Sequence, residues 1–329
     1  MFIRLITLFI AVCIASLCSL CVGEMKLPFD QLIDYINDTS SMEYAVLTHI
    51  RIPRTLLAVA IGGGLSLAGV ILQGIYRNPL VEPYTLGISG GASLGVTLAI
   101  VTGIYANYAL SLPFFGFVGA FLTIFLVYSL SLKKGVVSVN RMLLIGVMIS
   151  FISSSMVMFL MSITASENIH GIIFWTMGSL DESNPYLVYG MLIVSVFSVI
   201  VAYLFAIPLN ALRLGEAKAR HLGINTQLII RLLFVLTSLL TGSCIAVGGV
   251  IGFVGLIIPH FTRLWLGNDY RVLLLGSFLS GSFFLILCDM LARTLVLPNE
   301  LPIGVITGIF GGIAFIFILS SQQKQSNAA

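Results

Sequence analysis

The chain has 329 residues, 58% of them hydrophobic and 9% charged, with a net charge of +3 and a mean hydropathy of +1.09. A soluble domain has about a quarter charged residues, and 16 basic and 13 acidic side chains cannot cover a globule of this size, so the solvent is lipid. That excludes soluble enzymes, disordered chains and secreted disulfide scaffolds, and the absence of a long basic tract leaves nucleic acid no electrostatic footing.

Apolar runs of about 15 to 25 residues have the length of membrane helices rather than of barrel strands. Bounded by charge, Pro or Gly, they predict an all-α polytopic fold of ten helices. The first five lie near 4–23, 55–75, 86–103, 112–132 and 142–162. The second five lie near 186–207, 227–248, 253–266, 271–292 and 303–320, the eighth being short. The first run has no small-x-small cleavage site after it, and Leu17 before Cys18 spoils a lipoprotein box, so it reads as a helix and not a leader. Gly171–Leu180 is too polar and short to span, which predicts an amphipathic helix on or near the surface. The five cysteines sit inside apolar runs, and Cys18-Ser-Leu-Cys21 lacks a second pair, so they read as packing residues. With no linker and no low-complexity segment, residues 1–329 form a single transmembrane domain.

Basic residues near helix ends stay on the cytoplasmic side. With the N-terminus inside, Arg4, Arg77, Lys133, Lys134, Arg141, Arg213, Lys218, Arg220, Arg231, Arg263, Arg271 and Lys324 fall inside, against Lys26, Arg51, Arg54 and Arg293 outside. An even number of spans then places both termini in the cytoplasm. The outer arginines are the exceptions that need a reason; anchoring at the interface is one.

No Lys completes a G-x-x-x-x-G-K-[ST] phosphate loop, so the chain does not hydrolyse ATP by that route. Ion-coupled carriers keep carboxylates at mid-membrane, yet only Asp289 lies clearly inside an apolar run, four residues before Arg293, where the two can pair on one helix face. Gly87-Ile-Ser-Gly-Gly91 matches a nucleophile-elbow string without the strand-to-helix context. His49, His170, His221 and His260 are scattered. No catalytic, cofactor or metal site is expected.

Three segments are more specific than packing requires. One runs from Arg51-Ile-Pro-Arg54 through Gly62-Gly63-Gly64, Gln73 and Arg77-Asn-Pro-Leu80 to Leu86-Gly87 and Gly90-Gly91-Ala92. A second, Leu212–Ile224, carries Leu214-Gly215 and Leu222-Gly223 amid charge, and its exposed apolar positions call for a covering partner. The third, Gly249-Val-Ile-Gly-Phe-Val-Gly-Leu-Ile-Ile-Pro-His260-Phe-Thr-Arg263, ends in Gly267-Asn-Asp269-Tyr-Arg271; short or broken helices of this kind line transport paths.

Together with Leu301-Pro302-Ile303-Gly304, these motifs resemble the FecCD-type permease subunits of ABC importers for iron chelates, haem and cobalamin, in order from about residue 45 to 315. The chain departs from the family at Gly311-Gly-Ile-Ala-Phe315, where a helix-start proline is usual. The resemblance implies a type II importer permease fold, a second permease subunit, identical or paralogous, two cytoplasmic ATPases and an external binding protein, in a bacterial inner membrane. It also implies docking of the binding protein on Arg51, Arg54 and Arg293. Coupling helices at 212–226, with Leu214, Gly215, Ala219, Leu222 and Gly223, would meet the ATPases. The path would be lined by the fifth and tenth helices through Ser150, Ser153, Ser154, Ser155, Thr307 and Gly308. A ferric siderophore is the expected cargo, with haem and cobalamin as alternatives. A stand-alone carrier or channel is the rival from another class, and the missing mid-membrane carboxylates speak against it.

Overall fold

The computed structural model describes residues 2–25, 27–106, 110–133 and 136–326. Lys26 and Lys134 of the charge count lie outside the described residues. Helix α1 (Phe2–Cys21) is followed by a 3-10 turn (Phe29–Gln31) and the short α2 (Leu32–Asn37) and α3 (Met42–Val46); a π turn (Leu47–Arg51) then leads into α4 (Ile52–Tyr76). Next come α5 (Ile88–Val101), α6 (Ser111–Ser131), a two-residue ladder joining Leu132–Lys133 to Val136–Val137, α7 (Val139–Ile163) and α8 (Ser166–Met177). The chain closes with α9 (Pro185–Leu204), α10 (Ala206–Leu212), α11 (Glu216–His221), α12 (Thr226–Gly248), α13 (Val254–Leu266), α14 (Tyr270–Ala292) and α15 (Ile303–Ser326).

Each of the ten predicted spans has its helix. Among the described residues, seven helices are long and apolar enough to cross a membrane alone, and α5, α13 and α15 are shorter apolar helices. Two expectations shift. The second span begins well before residue 55, because Ser41 caps α3 through the Tyr44 N–H and the π turn carries Thr48, His49 and Arg51 without ending the helix. The amphipathic segment is α8, which begins and ends earlier than expected and is not a surface element throughout: Ile172 packs with Val96 and Ile100, and Trp175 joins that cluster.

Helix α4 is the hub, with α9, α12, α13 and α14 around it. Small residues make this possible, since they let helix backbones close up where side chains would hold them apart. At the α4–α14 crossing, a Cβ on Gly62 would fall on the Gly281 carbonyl and one on Gly281 would fall on that of Gly62. Hydroxyls tie the hub to its neighbours: Ser282 donates to the Val59 carbonyl at 2.8 Å and Ser195 to that of Ala60 at 3.0 Å.

Helix α13 has 13 residues, about 20 Å at 1.5 Å per residue, so it crosses only part of a ~30 Å hydrocarbon layer. The backbone between α12 and α13 is therefore irregular inside the protein, which lipid tolerates only where neighbours satisfy it. Here the Ile251 N–H donates to the Tyr84 hydroxyl at 3.1 Å, the Phe253 N–H to the Glu82 carboxylate, and the Ser179 N–H to the Gly248 carbonyl at 3.0 Å. The Ile303 N–H donates to the Gly178 carbonyl at 3.2 Å, which joins the start of α15 to the same seam.

Candidate functional site

At one end of the bundle the structure brings Arg51, Arg54 and Arg293 together, at 3%, 5% and 5% exposure. They are not free surface cations. Arg54 Nε donates to Asp289 at 2.5 Å, while its Nη1 meets Asp181 at 2.5 Å and Glu300 at 2.6 Å. Arg293 pairs with Asp289 at 3.0 Å, the i,i+4 contact foreseen from spacing. Arg51 and Arg293 also donate to carbonyls at the C-terminal end of α1. Arg51 reaches Leu20 at 2.5 Å and Met25 beyond it, and Arg293 reaches Val22 at 3.0 Å and Ser19 at 3.3 Å. Helix α1 has no basic residue in its own last turn, so these guanidinium groups satisfy the orphan carbonyls and the negative end of its dipole.

Sequence reasoning found the three arginines and the Asp289–Arg293 pair but missed Asp181 and Glu300. These lie 127 and 246 residues from Arg54 in connecting segments with no motif to mark them. Their side chains are 60% and 47% exposed. The arginine charge is therefore covered on its solvent side by two accessible carboxylates.

A second polar constellation unites residues of two motifs. Pro259 has no N–H, so the carbonyl four residues back, on Gly255, loses its helical donor. Gln73 of α4 replaces it, its Nε2 donating to Gly255 and Leu256 at 3.2 Å each, while its Oε1 accepts from Arg263 at 2.6 Å. The close approach this needs exists because a Cβ on Gly69 would overlap the Gly255 carbonyl. Asp269 caps α14 through the Arg271 N–H at 3.0 Å and accepts from Asn210 at 2.7 Å; these hydrogen bonds hold its carboxyl below the usual range.

Within 212–226 the one complete helix is α11, since α10 ends at Leu212 and α12 opens at Thr226; turns at Gly215 (φ +103°) and Gly223 (φ +81°), backbone that favours glycine, bracket it. Leu214 and Leu222 are exposed, whereas Ala219 is fully buried and offers a partner no surface. On the two helices expected to line a path, Ser150 is half-buried and Ser154 and Ser155 are exposed on α7, while Ser153 turns inward. Ser150 and Ser153 both sit against Gly90. On α15, Thr307 is buried and donates to the Gly304 carbonyl at 3.2 Å, and Gly308 faces open space. Around them α7 and α15 expose Leu144, Phe151, Ile152, Phe159, Ile309 and Ile313. Among the described residues no group of three or more His, Cys, Asp or Glu could hold a metal ion.

Comparison with known proteins matches residues 9–321 to the FecCD transport family. The hemin transport system permease protein HmuU of Yersinia pestis is 37% identical over 97% of this chain and 95% of its own. The vitamin B12 import system permease protein BtuC of Salmonella arizonae is 36% identical over 96% and 93%. Among solved structures, an inward-facing ABC transporter assigned to the metal-chelate type superposes with a TM-score of 0.86 at 31% identity, covering 98% of this chain and all of that one.

Proposed function

The chain belongs to the FecCD transport family and is a multi-pass ABC importer permease, and on that premise we propose that it passes an iron chelate, a ferric siderophore, from an external binding protein to the cytoplasm. The observation that carries the reading is the half-helix α13 held against α4 by Gln73, a transporter-type broken helix, in a fold matched along its whole length by import permeases. Haem is the second reading, favoured by the hemin permease relative. The membrane is the bacterial inner membrane, and both termini are cytoplasmic, because Arg77, Arg213, Arg263 and Arg271 gather at the end opposite the arginine network.

A second permease subunit covers the exposed apolar faces of α7 and α15, with Ser150, Ser154, Ser155 and Gly308 on the path between them; Ser153 and Thr307 pack each helix to its own chain. Two ATPases dock on Leu214, Gly215, Leu222 and Gly223, with Ala219 holding the loop from inside, and ATP hydrolysis lies with those partners. The binding protein docks over Arg51, Arg54 and Arg293. Since Asp181 and Glu300 already occupy Arg54, an incoming carboxylate must exchange with them.

The cargo is tested by purifying the cognate binding protein and titrating ferric siderophores, haem and cobalamin by fluorescence quenching, followed by ATP-driven uptake in proteoliposomes. Quenching and uptake of ferric siderophore alone support the reading; haem or cobalamin alone replaces it. For docking, Asp181→Asn with Glu300→Gln releases the Nη1 of Arg54, whose Nε stays on Asp289, and removes two negative charges. Exposed ion pairs are worth about 0.2–1 kcal/mol each, so the binding protein should bind several-fold tighter, and unchanged affinity would defeat the exchange. For coupling, Leu214→Asp with Leu222→Asp should stop the ATPases co-purifying without loss of the folded permease.

A further inference from the structure

Where α4, α10, α13 and α14 meet, at the end opposite the arginine network, a cavity of about 210 Å³ is lined by Gln73, Arg77, Asn78, Arg213, Arg263 and Tyr270. Its lining holds three guanidinium groups and no carboxylate. What remains free in it is almost entirely donor. The Gln73 oxygen is taken by Arg263 and its amide by two carbonyls. The Asn78 oxygen accepts the Leu80 N–H at 2.9 Å, which leaves its amide hydrogens. Tyr270 accepts from Arg263, which leaves its O–H. Arg213 spends one nitrogen on the Asn268 carbonyl at 2.6 Å. Arg77 has no ion pair among the described residues and sits at a left-handed C-cap, φ +48°. On the same rim, Asp269 is the acid that tempers Arg213, and it is already held by Asn210 and the Arg271 N–H.

We propose that this cavity binds the phosphate of an anionic phospholipid headgroup. Convergent guanidinium groups match phosphate oxygens, and basic pockets between membrane helices at the cytoplasmic face take such headgroups. A lipid is the fitting source because the residues next to the pocket in sequence are exposed and apolar: Leu80 after Pro79 is 49% exposed, and Leu264 after Arg263 is 72% exposed. The acyl chains lie along that apolar wall while the headgroup turns in among the arginines. A choline headgroup is disfavoured, since its cation would face three others.

The full-length chain, purified from membranes in mild detergent, is titrated with phosphatidylglycerol, phosphatidylcholine and inorganic phosphate and read by native mass spectrometry. Phosphatidylglycerol should bind at least tenfold tighter than phosphatidylcholine. Arg77→Gln should weaken it several-fold, and Arg77→Gln with Arg213→Gln at least tenfold. Arg77→Lys should restore part of the loss, and Arg271→Gln, on the same rim outside the lining, should change nothing. Equal binding by the wild-type chain and the double variant overturns the site. Displacement of the lipid by an equal concentration of inorganic phosphate overturns the lipid as occupant. Loss of ATPase association by the double variant with lipid binding intact assigns the pocket to a partner's carboxylate and overturns the proposal as well.

Discussion

The span that ends in α4 and helix α7 are about equally apolar, yet 89% of the most apolar stretch is buried in the first and 11% in the second. Hydropathy tells both helices to enter lipid and says nothing about which becomes the core. Side-chain size decides. Helix α4 carries Gly62, Gly63, Gly64, Ala68, Gly69 and Gly74 and is approached from every side, whereas α7 presents Leu144, Met148, Phe151, Ile152, Met158 and Phe159 outward. In a solvent as apolar as leucine, large side chains gain little by burial, and close packing of small ones is what holds helices together.

The sharpest way to break this contrast is Gly69→Val, which drives a side chain into the Gly255 backbone. Overpacking costs about 1–3 kcal/mol where neighbours can shift, and a backbone carbonyl in a half-helix cannot, so the folded permease should be lost from membrane extracts on fluorescence-detected size exclusion. Next in size is Asp289→Ala, which takes from Arg293 its carboxylate partner and from Arg54 its buried one; removing one partner of a buried pair costs about 3–5 kcal/mol, and the thermal midpoint in detergent should fall accordingly. Gln73→Leu keeps the volume but leaves the Gly255 carbonyl without its donor and takes from Arg263 one of its two acceptors, Tyr270 being the other, at about 1–3 kcal/mol. Helix α7 should respond least: Phe151→Ala ought to change the stability of the single chain by under about 0.5 kcal/mol while weakening association with the proposed second permease on size exclusion. A large loss of single-chain stability there would refute the division between the two helices.

Most of the fold was readable because ten apolar runs have ten helices behind them, and because Pro, Gly and charge punctuate them. The site was readable in parts. Arg51, Arg54, Gln73, Pro259 and Arg263 stood out as unusual residues in membrane helices, and the four-residue step from Asp289 to Arg293 announced a pair. That Gln73 answers the carbonyl freed by Pro259 was hidden by a separation of 182 residues between donor and acceptor. Asp181 and Glu300 were hidden by lying in connecting segments, where no periodicity assigns a carboxylate a direction. The burial of Ala219 beside exposed Leu214 and Leu222 was also invisible, because a helix as short as α11 shows too few turns to reveal an inner face.

The bond between Gln73 and the half-helix also has a consequence for biogenesis. Synthesis runs from the N-terminus, so α4 has left the ribosome long before Pro259 is added, and the half-helix emerges into a membrane where its missing donor already waits. The order of the sequence thus spares the nascent chain an interval in which a bare carbonyl faces hydrocarbon.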